Sequence, residues 1–507
     1  MDADQQPTAG LKGRVASGMG WVGATQVVGQ LIRTGGAIAV ARLLVPSDYG
    51  LATLALVFTS LVLVFSDLAL GAALVQRKVL TEDDRSTAFW LTIFTGVLFT
   101  GVGVGIAGPL SSIYGEPEVR PLLMVLSASF FITAIGATQQ SLLLRDMRFK
   151  RMETLILVGT LAGTVGAVVV AAKGGGAWAI IVQQLVTATV VSALMWLGSS
   201  WRPRLRFSRA SASSLWGFSG PLVGHRLLFY VHQNADNLII GRVLGPAALG
   251  AYAVAYNVML APASRIAAPV QRVLAPAFSR LQDEPERMAD AWARATRLVG
   301  LIVIPAMTGI GVVAPDFVPV VLGDQWKAAI PIVPILAWVG MLQALQALNV
   351  DILMARGRTR ALFRYMCAFC VIHLIAFAVG VNWGIIGVAI AYAVSSTLIE
   401  PVLTIMSARA IGVSSFVFIR AISSVAEASA AMGLAVLGAR PLLIELGVSA
   451  APRLLLLVVI GALVYLPLVL WRTPEALSDV RSLLGRGQQA SAAPLAPAAA
   501  PAAPVAA

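Results

Sequence analysis

Arg33 stands about ten residues inside an apolar run, and Gln26, Gln30 and Arg33 follow i, i+4, i+7 spacing, which places them on one helix face. Ten residues of helix measure roughly 15 Å, too far for an arginine to reach the interface easily. A guanidinium held at that depth is costly in lipid and marks a cavity or transport path, and its planar fork matches phosphate or carboxylate oxygens. A denser set follows in a later run: His225, Arg226, His232, Gln233, Asn234, Asp236 and Asn237. So polar a helix cannot face lipid all round and must line a polar cavity. The next run adds Tyr256, Asn257, Arg265, Gln271 and Arg272, and a further one adds Gln343, Gln346, Asn349 and Asp351. Gln26, Gln30, Arg33, Arg226, Asn234, Asp236, Asn237, Asn257 and Arg265 form the candidate substrate-binding set. Arg265 can pair with Asp67 or meet an anionic substrate. Asp67 and Glu400 are candidates for ion coupling or for structural pairing.

Each candidate has a plainer reading. Asp236 and Asn237 can pair with Arg242 or cap a turn, and Arg272 fits an interfacial snorkelling residue. Glu400 precedes Pro401 and can satisfy backbone that the proline frees, the reading favoured here over a proton path. His373 is isolated. No catalytic set, metal site or cofactor is expected. Gly103-x-Gly105-x-x-Gly108 has dinucleotide spacing but lies within an apolar helix with no preceding strand, so helix packing explains it. Cys367-x-x-Cys370 has no second pair to complete a metal site. Gly174-Gly175-Gly176 reads as a tight hairpin.

The elements that position these residues follow from composition. Of 507 residues, 58% are hydrophobic and 12% charged, against roughly 45–50% and about 25% in soluble domains. A soluble enzyme, a disordered chain and a disulfide scaffold are excluded. Fourteen apolar runs are long enough to span a bilayer: 17–43, 49–74, 87–108, 120–143, 153–172, 176–198, 213–240, 246–274, 295–314, 328–353, 361–381, 384–407, 416–438 and 452–470. They show no period-2 alternation, and lipid requires every backbone polar group to pair internally, so they are helices. With both termini inside, 26 of the 37 Lys and Arg residues fall on inner segments and seven on outer ends. That asymmetry alternates loop by loop. The net charge of +13 is therefore topology, and no nucleic-acid partner is expected.

The chain also repeats. Arg42-x3-Pro46-x3-Gly50 recurs 200 residues later as Arg242-x3-Pro246-x3-Gly250, with Leu44 matching Leu244. Six helices separate the copies, so both halves share one topology and are related by an axis along the membrane normal. The expected fold is an all-α polytopic membrane protein of about 14 transmembrane helices: two six-helix lobes related by pseudo-two-fold symmetry, plus two extra C-terminal helices. Its parts are a cytoplasmic tail (1–16), an N-lobe (17–200), a basic interlobe linker (201–212), a C-lobe (213–410), helices 13 and 14 (411–472) and an Ala/Pro-rich disordered cytoplasmic tail (473–507). No cleavable signal peptide is expected, since residues 1–16 are polar. Two such lobes suggest a transporter that rocks about a midplane site.

Ser47-Asp48-Tyr49-Gly50-Leu51, Gly71-Ala72-Ala73-Leu74-Val75-Gln76, Trp178-Ala179-Ile180-Ile181-Val182-Gln183-Gln184, Asp236-Asn237-Leu238-Ile239-Ile240-Gly241-Arg242 and Phe278-Ser279-Arg280-Leu281-Gln282 resemble the bacterial polysaccharide (lipopolysaccharide, O-antigen-type, Wzx-like) flippases. These belong to the multidrug/oligosaccharidyl-lipid/polysaccharide exporter superfamily. The resemblance spans roughly residues 15–470. It implies a multi-pass protein of the bacterial inner membrane that moves an undecaprenyl-diphosphate-linked oligosaccharide between leaflets, for assembly of O-antigen, capsule or exopolysaccharide. It also implies a polysaccharide polymerase and chain-length regulator as partners, and a tail-binding role for helices 13 and 14. No bond is made or broken, so the protein is expected not to be an enzyme. The alternative of a drug/cation antiporter of the same superfamily prefers an acid in helix 1, where Arg33 stands instead. A glycan polymerase or ligase generally needs a large outer loop, and the outer connections near 315–327 and 439–451 are of ordinary length.

Topology gives the first test. Reporter fusions at Gly13, Arg209 and Arg486 should report cytoplasmic and those at Gly175 and Asp324 periplasmic; a reversed signal at Arg209 alone breaks the two-lobe arrangement.

Overall fold

A computed structural model describes residues 8–66, 74–75, 77, 80–209, 211, 230, 233–262 and 278–473. All regular structure among these residues is helical, and each of the fourteen apolar runs contains part of a helix. These are α1 (Thr8–Leu43), α2 (Pro46–Ser66), α3 (Glu82–Tyr114), α4 (Val119–Arg145), α5 (Phe149–Ala172) and α6 (Trp178–Gly198). The second half continues with α7 (233–243), α8 (Pro246–Pro262), α9 (Pro285–Phe317), α10 (Ile332–Ala355), α11 (Thr359–Gly380), α12 (Gly384–Ile411), α13 (Phe416–Glu445) and α14 (Ala450–Arg472). Short π and 3-10 turns (Val318–Leu322, Asp324–Ala329) follow α9, and the 3-10 turn Val381–Trp383 joins α11 to α12.

Helix lengths exceed the apolar runs where polar chemistry extends them. α3 starts at Glu82 because Thr81 and Asp84 form a reciprocal capping box, each backbone N–H donating to the other's side chain at 3.1 Å. α9 starts at Pro285, ten residues before its apolar run, and its amphipathic first turns bury Met288, Ala289 and Trp292. Neither extension has the hydropathy of a lipid-spanning segment. Gly174 and Gly176 adopt left-handed φ of 76° and 52°, as a tight hairpin between α5 and α6 requires.

Within the bilayer, helices associate through close packing of small residues, because lipid removes the hydrophobic incentive between them. Gly163 of α5 lies against Thr187 and the Gln183 carbonyl of α6, and Gly136 of α4 lies against Ser192 of α6. Of the three glycines in the dinucleotide-like spacing, only Gly103 is packed, against Ser127 and Phe58; Gly105 and Gly108 face open space. His373 is a structural residue, its ring nitrogens engaged by the Phe369 carbonyl at 2.8 Å and Ser396 Oγ at 3.1 Å.

The 200-residue repeat is the seam between the two halves. Gly50 lies directly against the Pro246 carbonyl, and Gly250 lies against the Pro46 carbonyl, so α2 and α8 cross at backbone contact near their N-termini. The same end of the bundle is tied further. Trp326 Nε1 donates to the Ala41 carbonyl at 2.8 Å, Gln325 Nε2 to the Ala41 and Arg42 carbonyls at 3.1 Å, and Arg42 to the Val320 and Val321 carbonyls. Arg242, the repeat equivalent of Arg42, makes no such contact among the described residues. The two extra helices are clamped to α9 at this end too. Asp316, fully buried, pairs with Arg440 of α13 and Arg453 of α14, each at 2.6 Å.

The crossing leaves no room for a side chain. Gly50→Val or Gly250→Val should lower stability by about 1–3 kcal/mol, as overpacking does, seen as a reduced thermal midpoint in detergent. Gly35→Val, at a site with nothing within 4 Å, should leave the midpoint near the parent value. Equal midpoints for all three variants would show that the seam is not held in solution.

Candidate functional site

Directly below the seam lies a cavity of about 490 Å³ built from both halves. Helical spacing sets its lining: Ala37 and Val40 of α1, Tyr49, Thr53 and Leu56 of α2, Gln183 and Gln184 of α6, Gln233, Asn234 and Asn237 of α7, and Ala253, Tyr256, Asn257 and Leu260 of α8. Ile180 and Tyr230 complete it. Tyr230 Oη donates to the Val57 carbonyl at 2.7 Å, and Asn257 Nδ2 donates to Tyr49 Oη at 3.2 Å, so hydrogen bonds join the halves across the cavity. None of the described lining residues is charged. The Asn237 carboxamide oxygen is buried without a partner, a state costing about 1–3 kcal/mol until a donor arrives. A chamber of amides and phenols with acceptors to spare suits a neutral, hydroxyl-rich ligand.

A second chamber of about 880 Å³ shares Gln233 and Tyr256 with the first and extends among α10, α11 and α12. Its walls are largely apolar, including Val350, Met354, Phe363, Phe369 and Leu403, with Gln343, Gln346, Tyr365 and Glu400 set among them. Arg360 and Arg364, on the first two turns of α11, lie at its Arg-rich end.

The structure brings together part of the set expected from sequence. Asn234, Asn237 and Asn257 line the first chamber, and Glu400 lines the second. Asp236 sits behind the wall at 2% exposure, accepting from Tyr252 Oη at 3.0 Å and the Asn237 N–H at 2.8 Å, not from Arg242. Gln26, Gln30 and Arg33 continue the α1 face that carries Ala37 and Val40, but none of the three lines either chamber. Gln30 donates to Thr34 Oγ1 at 2.9 Å, and the exposed Arg33 guanidinium folds back over Gly29. Asp67, Arg226 and Arg265 lie outside the described residues. Tyr49, Tyr230, Gln183, Gln184, Tyr365, Arg360 and Arg364 are lining residues not among those expected. The i, i+4 spacing of Arg360 and Arg364 was visible but is equally that of inner-face topology residues.

The family described as polysaccharide biosynthesis protein matches residues 39–331, more than half of the chain. The chain belongs to this polysaccharide biosynthesis protein family. Its resemblance to polysaccharide flippases, carried by short motifs, therefore holds. This family member is 28% identical over 370 residues to the lipopolysaccharide biosynthesis protein WzxC of Escherichia coli (strain K12), covering 72% of this chain and 74% of that one. It is 27% identical over 428 residues to the teichuronic acid biosynthesis protein TuaB of Bacillus subtilis (strain 168), covering 84% and 88%. Its fold is shared with the lipid II flippase MurJ in an inward closed conformation. The TM-score is 0.73 at 14% identity, over 90% of this chain and 99% of that one.

Water access to the first chamber is directly testable. In a background with Cys367 and Cys370 replaced, Asn234→Cys and Asn257→Cys should react with a charged, water-soluble thiol reagent in membranes. Gly105→Cys, on an outward face of α3, should not. Equal protection of all three positions would show that the chamber is dry.

Proposed function

We propose that this protein is a flippase that moves a polyprenyl-diphosphate-linked oligosaccharide across the bacterial inner membrane by alternating access, supplying assembly of a surface polysaccharide. The amide and phenol chamber at the interlobe seam, whose described lining residues carry no charge, supports the reading. An oligosaccharide is neutral and rich in hydroxyls, and such a chamber recognises it without placing charge in the bilayer. The seam is closed at the end that carries Pro46 and Pro246, which the charge asymmetry assigns to the periplasm. Both termini are then cytoplasmic, and the chamber is loaded from the inner leaflet. The glycan enters headfirst while its lipid tail remains in the bilayer. Transport needs no bond to form or break, so catalysis is not part of this reading.

In this reading Asn234, Asn237 and Asn257 bind sugar, and Arg33 meets the diphosphate during passage along the α1 face. Arg226 and Arg265 are assigned the same anion-binding role. Asp67 is assigned to ion coupling or to structural pairing, and Glu400, without an ion pair among the described residues, to ion coupling. A polysaccharide polymerase and a chain-length regulator would receive the product.

Export in cells tests the reading. In a strain lacking the chromosomal copy, the parent protein should restore surface glycan. Arg33→Ala should abolish it at normal membrane levels, and Arg33→Lys should restore only part, since an ammonium lacks the bidentate fork. Full surface glycan with Arg33→Ala removes Arg33 from the path. Full surface glycan without any copy of the protein removes the flippase reading.

A further inference from the structure

The second chamber contains polar groups that no described residue serves. Glu400 is 3% exposed and lines the chamber, yet it makes no hydrogen bond or ion pair among the described residues, including to backbone beside Pro401. The Tyr365 hydroxyl, lining the same chamber, is buried without a partner. A carboxyl group in a largely apolar wall is costly unless donors reach it, and nothing in the described protein supplies them. At the Arg-rich end of the chamber, Arg360 and Arg364 share one face of α11. Neither makes a hydrogen bond or ion pair among the described residues. Arg356, four residues before Arg360, is by contrast engaged by the Ala410 and Gln282 carbonyls.

The register of α11 against α12 sets the spacing of these groups. His373 meets Ser396 at 3.1 Å. From that contact Glu400 lies four residues towards the Arg-rich end and Arg364 lies nine, so the backbone of Arg364 is about 7.5 Å further along the helix axis. Arg360 lies one turn beyond. From that end, the exposed Arg360 and Arg364 come first, with Tyr365 beside Arg364, then Glu400 at the level of Phe369, and Gln233 and Tyr256 border both this chamber and the amide chamber.

Resting on the flippase reading, we propose that the second chamber is the subsite for the sugar 1-diphosphate at the lipid end of the substrate. Arg360 and Arg364 hold the diphosphate, whose oxygens take bidentate bonds from guanidinium forks. Glu400 accepts hydrogen bonds from hydroxyls of the first sugar, and Tyr365 completes the set as donor or acceptor. The rings of Phe369 and Tyr256 cover the sugar's apolar face. The remaining sugars continue into the amide chamber. The first sugar is thus selected by a different set of side chains from those that hold the rest of the glycan.

Binding to the full-length purified protein tests this with four probes: farnesyl diphosphate, and farnesyl diphosphate carrying glucose, galactose or N-acetylglucosamine. At least one sugar probe should bind about tenfold more tightly than farnesyl diphosphate. Glu400→Gln and Tyr365→Phe should each remove most of that gain while leaving farnesyl diphosphate affinity unchanged. Arg360→Gln combined with Arg364→Gln should weaken every probe more than tenfold, with the Lys pair intermediate. Parent-like thermal midpoints and elution profiles certify folding of each variant. The subsite is overturned if no sugar improves binding, if Glu400→Gln and Tyr365→Phe keep the gain, or if the Arg pair is dispensable. Those results alongside restored surface glycan in cells leave the flippase reading standing; no probe binding together with no export ends both.

Discussion

The backbone contact between α2 and α8 organises the rest of the molecule. Gly50 against the Pro246 carbonyl and Gly250 against the Pro46 carbonyl bring two helix N-termini closer than any side chain permits. That proximity shuts one end of the interlobe space and fixes the lines along which α2 and α8 diverge below it. Tyr49 and Thr53 on one helix, and Ala253, Tyr256 and Asn257 on the other, then face each other across the first chamber. The ties from Trp326, Gln325 and Arg42 use backbone carbonyls as acceptors. These ties use neutral acceptors, and Asp316, buried at the same end, is met by two arginines, as a charge taken out of water requires.

Lipid shapes the choice of side chains elsewhere. An interhelical hydrogen bond in a membrane is worth only about 0.6 kcal/mol on average, so polar groups inside the bundle are weak glue and are better explained by ligand or water. Amides and phenols can line a chamber at modest cost, whereas a charge there needs a partner. Buried carboxylates elsewhere are served: Asp316 meets both Arg440 and Arg453, fastening α13 and α14 to α9, and Asp236 accepts from Tyr252 Oη and the Asn237 N–H. Glu400, equally buried, has no donor among the described residues, and that unserved carboxyl points to a ligand.

Much of the fold was legible in the sequence because lipid simplifies the code. Fourteen apolar runs, alternating basic loops and the Arg-x3-Pro-x3-Gly repeat were enough for helix number and lobe symmetry, and the repeat turned out to be the seam itself. Helix ends were less legible, since α3 and α9 extend through polar residues by capping and by amphipathic packing. The site was half legible. Asn234, Asn237 and Asn257 stand out because amides are rare in apolar runs. Arg360 and Arg364 do not, since a topology arginine and a ligand arginine look alike at a helix end. Tyr49 and Tyr230 read as ordinary interfacial or packing aromatics until the lobes are brought together. Glu400 was expected to serve the backbone at Pro401, and only the surroundings of its carboxyl show otherwise.

The central claim is that the interlobe chamber carries a lipid-linked glycan from one leaflet to the other. Proteoliposomes holding the purified protein and the polyprenyl-diphosphate-linked repeat unit extracted from its host offer the direct measurement. The readout is the rate at which glycan sequestered in the inner leaflet becomes accessible to a membrane-impermeant lectin. This rate should rise in proportion to protein and fall to the protein-free level when Asn234, Asn237 and Asn257 are together replaced by Ala in a folded variant. Accessibility that is the same with and without the protein, or that survives the triple replacement, would contradict it.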